Sequence, residues 1–147
     1  MLEDLQIRPY LEKDKQGVVA LWREAFPNSP PWNIPEDHIE RKLKVQRELF
    51  FIAEVTGKIV GTAMAGYDGH RGWVYSVAVS QKYRKQGIGK ALMERVERGL
   101  IDIGCPKLNL QVRASNNEVV EFYKRLGYGV EDRVSMGKLL PGDKRSN

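Results

Sequence analysis

The residues best suited to chemistry form a short run of glycines and basic side chains, Arg84-Lys85-Gln86-Gly87-Ile88-Gly89-Lys90. A predicted strand ends just before this run, at Val79, and apolar residues return at helical spacing from Ile88 onward. The first N–H groups of a helix have no internal partners, and the helix dipole places roughly half a positive charge beside them. Glycines allow close approach of the backbone, and the basic side chains add mobile charge. The run therefore predicts a phosphate-binding site.

The spacing of the glycines narrows the choice of phosphate ligand. A dinucleotide fingerprint requires a third glycine at position 92, where the chain has Leu92. A P-loop requires glycine at position 84 and Ser or Thr at position 91, which are Arg84 and Ala91. Both nucleotide sites are disfavoured. Taken alone, the Gly-x-Gly turn also fits a plain strand-to-helix connection.

Apolar periodicity predicts the elements that must position this run. Strands are predicted at residues 5–9, 49–55, 58–67, 73–79 and 107–112, and two short strands are expected to finish the fold near residue 140. Four helices are predicted: the first is capped near Asp14, the second begins at about Pro35, the third runs from Ile88 toward Gly104, and the fourth is capped by Ser115 or Asn116. This order predicts one layered α/β domain over residues 1–140 with a mixed sheet, followed by a mobile tail at 141–147.

Length and composition exclude several classes of protein. The 147 residues suit one domain, and the N-terminus lacks the basic and apolar segments of a secretion signal, so we expect a cytoplasmic protein without a membrane span. One cysteine and two histidines make a metal site improbable, and we expect none. The 24 basic residues give a formal charge of +5, but 19 acidic residues are scattered among them, which disfavours a nucleic-acid binder.

Several ordered motifs carry a family resemblance. They are Val77-Ala78-Val79, the stretch from Tyr83 to Leu92, Val112-Arg113-Ala114-Ser115-Asn116, and Phe122-Tyr123-Lys124-Arg125-Leu126-Gly127-Tyr128. Together they resemble the GNAT superfamily of N-acetyltransferases. Four further motifs are more closely similar to its bacterial YpeA subgroup: Pro31-Trp32-Asn33, Ile39-Glu40-Arg41-Lys42, Tyr67-Asp68-Gly69-His70-Arg71-Gly72 and Gly104-Cys105-Pro106-Lys107. The resemblance implies a mixed, mostly antiparallel sheet of six to seven strands, flanked by about four helices and splayed at its central parallel strands.

The resemblance also implies roles for particular residues. Val77 and Val79 would offer strand backbone groups to the pantetheine arm of acetyl-CoA. Arg84, Lys85, Gln86, Gly87, Ile88, Gly89 and Lys90 would cradle its pyrophosphate, chiefly through main-chain N–H groups. Asn116 would contact the cofactor, and this role is compatible with the alternative that it only caps a helix. Tyr123 would protonate the departing thiolate, although helical spacing alone favours simple packing beside Phe122 and Leu126.

The general base is where the sequence departs from better-understood relatives. The two strand positions where such enzymes carry glutamate align with Trp73 and Gln111, neither of which accepts a proton. Asp68 and His70, in the loop before the 73–79 strand, are the substitutes we predict, and His70 has a pKa range suited to neutral pH. A plain turn at this loop and a base acting through water stay open.

The predicted function is transfer of the acetyl group from acetyl-CoA to an amine in a ternary complex. The acceptor is a protein N-terminus, a lysine or a small-molecule amine, and an α-amine is cheaper to deprotonate at pH 7 than a lysine by about 3 kcal/mol. Trp32 is expected to wall the acceptor pocket, unless it is ordinary core. The alternative function is a non-catalytic acyl-CoA-binding sensor or interaction module. Both a monomer and a homodimer fit the sequence.

Overall fold

A computed structural model describes residues 3–141, which form two compact units. The larger unit comprises residues 3–29 and 33–111, and the smaller comprises residues 30–32 and 112–141. The predicted mobile tail lies outside the described residues except for Pro141, which is exposed. The single domain over residues 1–140 stays a prediction. Along residues 3–141 no helix combines the length and the apolar character that a bilayer crossing requires.

The larger unit is a mixed five-stranded sheet with three helices. Its strands, in sheet order, are β1 (Leu5–Pro9), β2 (Phe50–Val55), β3 (Lys58–Tyr67), β4 (Gly72–Val79) and β5 (Leu108–Asn109). Neighbouring strands are antiparallel except for β4 and β5, which are parallel. The helices are α1 (Lys15–Ala25), α2 (Pro35–Lys42) and α3 (Ile88–Asp102). The smaller unit contains a fourth, α4 (Asn117–Arg125). The predicted α/β class, mixed sheet and four helices are confirmed.

The number of strands was predicted incorrectly. The described residues contain five strands rather than six to seven, and the strand expected at residues 107–112 is reduced to Leu108–Asn109. The two short strands expected before residue 140 are absent from the part of the chain that the structure describes. Val134 and Met136 there are 87% and 90% exposed. Alternating apolar residues are only a local signal, whereas a strand needs a neighbour that pairs with it.

The sheet is buried on both faces, which fixes its place between the helices. Phe50 and Ile52 belong to an apolar cluster with Trp22 of α1. The intervening Phe51 instead lies under Arg95 of α3, with the guanidinium 4.6 Å from the ring centroid. All three strand residues are fully buried. Successive side chains of β2 therefore serve opposite layers, as the two-residue period of a strand requires.

A bulge interrupts β4 in the middle of its ladder with β3. Thr62 pairs with Ala78 and Met64 pairs with Tyr75, so two β4 residues oppose one β3 residue between these pairs. Ser76 in the bulge has a φ of 52°, in the left-handed region. The buried Trp22 indole donates to Thr62 Oγ1 at 2.8 Å, and the Thr62 hydroxyl donates to the Ser76 carbonyl at 2.9 Å. These two hydrogen bonds connect the bulge to the buried side chains of Thr62 and Trp22 and stabilise it.

The smaller unit positions α4 through its two ends. Asn116 Oδ1 accepts from the Val119 N–H at 3.3 Å, so the predicted N-cap is confirmed. The helix closes at Gly127, whose φ of 98° is left-handed, and the Tyr128 N–H donates to the Tyr123 carbonyl at 3.0 Å. This last bond satisfies a carbonyl of the final turn. The backbone of the helix that carries Tyr123 is thus fixed at both ends.

An ionic cluster ties β1 to the start of α1 and to β2. Arg8 binds the Asp14 carboxylate through both Nη atoms, at 2.8 and 2.9 Å, and also reaches Glu54. Asp14 is buried and accepts from the Leu11 N–H at 2.8 Å. Burial alone would raise the pKa of Asp14, but the Arg8 and Leu11 hydrogen bonds outweigh it and the pKa is lowered.

We expect Asp14→Asn to lower the free energy of unfolding by about 2–3 kcal/mol, because it leaves the Arg8 fork without its charged partner. A depressed carboxyl pKa contributes stability that is present above the ordinary Asp value and is lost as pH falls through the folded value. Urea unfolding at pH 7 and pH 3.5 measures both effects, with the exposed Glu40→Gln as control. A loss no larger than that of the control would contradict the role given to this cluster.

Candidate active site

The loop between β4 and α3 has the geometry of an anion site. Lys85 and Gly87 both have left-handed backbones, with φ of 63° and 86°, and Gly87 is the residue that precedes the helix. The first helical bond runs from the Ala91 N–H to the Gly87 carbonyl at 3.0 Å. The N–H groups of Ile88, Gly89 and Lys90 therefore belong to the first turn, which has no intrahelical acceptors. Their N–H dipoles favour an anion at this helix end.

The basic side chains of the loop are in solvent, where they can meet a charged ligand. Arg84, Lys85 and Lys90 are exposed, whereas Ile88 is buried and anchors the helix start. Arg84 Nε donates to the Val79 carbonyl at 3.3 Å, which keeps the guanidinium beside the end of β4. The left-handed backbone of Lys85 costs on the order of 1 kcal/mol, since it is not glycine. Such strain is a common feature of ligand loops.

One edge of β4 is open beside this loop. The parallel pairing with β5 involves only Gly72 and Trp73, and within the described residues β4 has no β5 partner beyond them. On its other edge β4 remains paired with β3 as far as Val79. The stretch containing Val77 and Val79 therefore has one edge on which an extended ligand can pair with backbone groups. The predicted splaying of the central parallel strands stays a prediction.

A cavity of about 630 Å³ lies beside the middle of β4, within the larger unit. Residues of α2, β3, β4 and the segment before α2 line it. The polar and charged lining residues are Asn33, His38, Arg41, Lys42, Tyr75 and Ser76. Because Ser76 is part of the bulge, the cavity borders the point where the regular ladder of β4 is interrupted. The size is that of a small-molecule pocket.

The side chains of Lys42 and Gln46 connect α2 and the segment after it to the end of β3. The Lys42 ammonium donates to the Ala65 carbonyl, and burial lowers the pKa of Lys42. Gln46 forms two bonds with the backbone of Tyr67, accepting from its N–H at 2.7 Å and donating to its carbonyl at 3.1 Å. The end of β3 is thereby fixed to the segment that follows α2.

The loop of Asp68 and His70 is a side-chain-stabilised turn. Asp68 Oδ1 accepts from the N–H groups of His70 and Arg71, both at 2.8 Å, and these bonds lower the pKa of Asp68. Asp68 thus binds the backbone of His70 in this structure. Among the described residues, the cavity lining includes His38 but not Asp68 or His70. Their catalytic roles stay predictions.

His38 is the residue that the sequence interpretation missed. It lies on α2 with Arg41 and Lys42, and the spacing i, i+3, i+4 places all three on one helix face. That spacing was visible in the sequence.

Tyr123 is buried within the smaller unit's aromatic group. It is 8% exposed, and its ring meets Phe122 and Tyr128 edge to face at 4.9 and 5.8 Å. Burial raises the pKa of Tyr123 to about 12. The packing that spacing alone favoured is present, and the catalytic role stays a prediction. Trp32 belongs to the same unit and is 41% exposed, so its place in an acceptor pocket also stays a prediction.

Comparison with known proteins identifies the family. The Acetyltransferase (GNAT) family profile matches residues 15–128, which include the loop, the cavity residues and Tyr123. The chain belongs to this family. An acetyltransferase of Yersinia pestis (strain Pestoides F) is 46% identical over 140 residues, covering 95% of this chain and 99% of the relative. The predicted family and enzyme class are confirmed.

Solved structures agree on the fold. Ard1 from Thermoplasma volcanium matches with a TM-score of 0.76 at 24% identity, over 87% of this acetyltransferase and 84% of that chain. AAC(6')-Iy in complex with the bisubstrate analog CoA-S-monomethyl-acetylneamine matches with a TM-score of 0.76 at 20% identity, over 92% and 98%. At these sequence identities, the similarity to both structures shows a shared fold.

Proposed function

We propose that this acetyltransferase moves the acetyl group of acetyl-CoA to an amine by direct transfer in a ternary complex. The main support for this proposal is the arrangement of three features along β4. A loop suited to anion binding follows Val79, the strand edge beside Val77 has no β5 partner, and Ser76 lines the cavity. A donor lying along the strand from the loop would bring its far end to the cavity. Strand geometry gives about 13 Å between Tyr75 and Val79.

The donor binding follows from the loop and the open edge. The N–H groups of the first α3 turn, aided by Arg84, Lys85 and Lys90, would hold the pyrophosphate of acetyl-CoA, with Gln86, Gly87 and Gly89 completing the backbone around it. Val77 and Val79 would pair with the pantetheine amides. Asn116 is a further proposed contact. The bisubstrate analog bound by AAC(6')-Iy supports this arrangement, since it joins CoA to an acceptor in one molecule.

The reaction needs the amine nitrogen to attack the thioester carbon, lose a proton and expel the CoA thiolate. Tyr123 would donate a hydrogen bond to that thiolate. With a pKa of about 12 against about 8.5 for a thiol, complete proton transfer would cost about 5 kcal/mol. A hydrogen bond that strengthens as charge develops therefore suits Tyr123 better than full transfer.

Two histidines are candidates for removing the amine proton, directly or through water. His70, with Asp68 beside it, follows from elimination of the usual base positions, whereas His38 lines the cavity. The base should produce an ascending limb in the pH profile of kcat/KM. We expect the variant lacking the base, His70→Gln or His38→Gln, to lose that limb and about tenfold or more in rate at pH 7. If both variants keep the limb, deprotonation belongs to water or to the acceptor itself.

Release of CoA thiol from acetyl-CoA over a panel of amines and peptides, with mass spectrometry of the products, tests the proposed function. Acetylated product with stoichiometric thiol supports it. Acetyl-CoA binding without turnover on any amine would instead favour the sensor alternative, which no comparison supports. Binding to nucleic acid that weakens steeply with salt would instead favour a nucleic-acid-binding protein. We further propose a cytoplasmic enzyme, either monomeric or homodimeric.

A further inference from the structure

The cavity has one strongly basic side, formed by His38, Arg41 and Lys42 and called here the basic wall. All three residues come from the last two turns of α2, at the spacing that aligns side chains on one face. Arg41 is exposed at this wall. Even with His38 neutral, Arg41 and Lys42 carry two positive charges into the same space.

No acidic residue among those described lines the cavity to cancel this charge. Glu48 favours the charged form of Lys42 but does not outweigh burial, and burial followed by the charge of Asp68 raises the pKa of Tyr75. Neither Glu48 nor Asp68 is part of the lining. The cavity therefore presents a positive field to whatever enters it.

The environment of Lys42 favours a negatively charged ligand in the cavity. The Lys42 ammonium is partly buried and donates to the neutral carbonyl of Ala65. Burial of an ammonium is costly, and a bound anion would add to the partial compensation that Glu48 provides. Arg41, at i−1 on the same helix, offers a planar fork suited to a carboxylate or a phosphate.

We infer that the acceptor is a primary amine that also carries an anionic group, a carboxylate or a phosphate, held by the basic wall. The inference deepens the proposed function and rests on it, since it treats the cavity as the acceptor site. Asn33, Tyr75 and Ser76 in the lining offer neutral hydrogen-bonding groups to the rest of the molecule. A polycationic amine would meet like charge at Arg41 and Lys42 and be rejected.

The test compares amines that differ by one anionic group: alanine with alaninamide, phosphoethanolamine with ethanolamine, and a Glu-initiated peptide with its Gln-initiated counterpart. The quantity compared is the ratio of kcat/KM for the anionic and neutral member of a pair, measured in the parent and in Arg41→Gln and Lys42→Met. Because amine basicity is the same for both enzymes, it cancels when these ratios are compared. Lys44→Gln, an exposed residue outside the lining, is the control.

We expect the ratio for at least one pair to fall about tenfold or more in Arg41→Gln, with the KM for acetyl-CoA unchanged and the control equal to the parent. The pair that responds identifies the source of the anion. An unchanged ratio in both variants, or an equal loss for both members of every pair, would overturn the inference.

Binding separates this inference from the proposed function. Calorimetric titration of each amine into the parent saturated with CoA does not require turnover. Preferred binding of an anionic amine, lost in Arg41→Gln, supports the basic wall even if no acetyl transfer occurs, and the proposed function alone then fails. If no anionic amine binds more tightly than its neutral counterpart, the basic wall does not select the acceptor and the inference is wrong.

Discussion

Tyr123→Phe is expected to lower kcat by about 10² or more while leaving the KM for acetyl-CoA nearly unchanged. The phenol is buried with a pKa raised to about 12, so it remains protonated throughout the working range. It is therefore always available to donate to a developing thiolate, and its removal affects the transition state more than the ground state. The ring and its edge-to-face contacts with Phe122 and Tyr128 remain in the variant. The fold should survive.

The matched control is Tyr128→Phe, which removes a hydroxyl from the same aromatic group. Single-turnover measurement of acetyl transfer keeps chemistry separate from product release. In the parent, no descending limb from Tyr123 should appear below about pH 10, because an acid of raised pKa loses its proton only as pH approaches 12. A Tyr123→Phe rate equal to that of the parent would assign the residue to packing alone.

Gly89→Leu is expected to abolish the stabilisation that acetyl-CoA confers on the parent. Acetyl-CoA at a hundred times its Kd should raise the free energy of unfolding by about 2.7 kcal/mol if it binds only the native state. Gly89 lies in the first turn of α3, and we expect a bulky side chain there to keep the pyrophosphate away from the N–H groups of that turn. Without ligand the variant should be at least as stable as the parent, since leucine favours helix more than glycine does.

Thermal unfolding with and without acetyl-CoA measures the effect. Gly129→Leu provides the control, because a Cβ added at Gly129 meets nothing within 4 Å. If the melting temperature of Gly89→Leu rises with acetyl-CoA as much as that of the parent, the phosphate does not bind at this helix end. A variant that melts far below the parent without ligand would show that Gly89 is required for the fold instead.

The loop was predictable because its determinants are local. Glycines and basic residues between a strand and a helix define the anion site within a few residues, and the structure places the α3 start at Ile88 as expected. The two-residue gap between the predicted strands at 49–55 and 58–67 is equally local, and Thr56 and Gly57 there adopt the left-handed backbone of a tight hairpin turn.

The cavity was not predictable from local patterns. It combines α2 with β3 and β4, and only the tertiary structure brings Lys42 to Ala65 or His38 toward Ser76. The β4 bulge is similarly non-local, since it depends on registration against β3. The predicted strands near residue 140 were wrong because alternation such as that of Val134 and Met136 does not specify a pairing partner.

The Thr62 hydroxyl makes two positions in the sequence interdependent during evolution. Replacing Thr62 alone with valine would leave the buried Trp22 N–H and the Ser76 carbonyl without their partner, and replacing Trp22 alone would leave an acceptor lone pair unused in the core. Losing both groups together removes the buried indole N–H along with its acceptor, so the paired change should cost less than the sum of the separate ones. Among descendants of this chain, positions 22 and 62 are therefore expected to covary. A substitution at one position limits which residues are tolerated at the other.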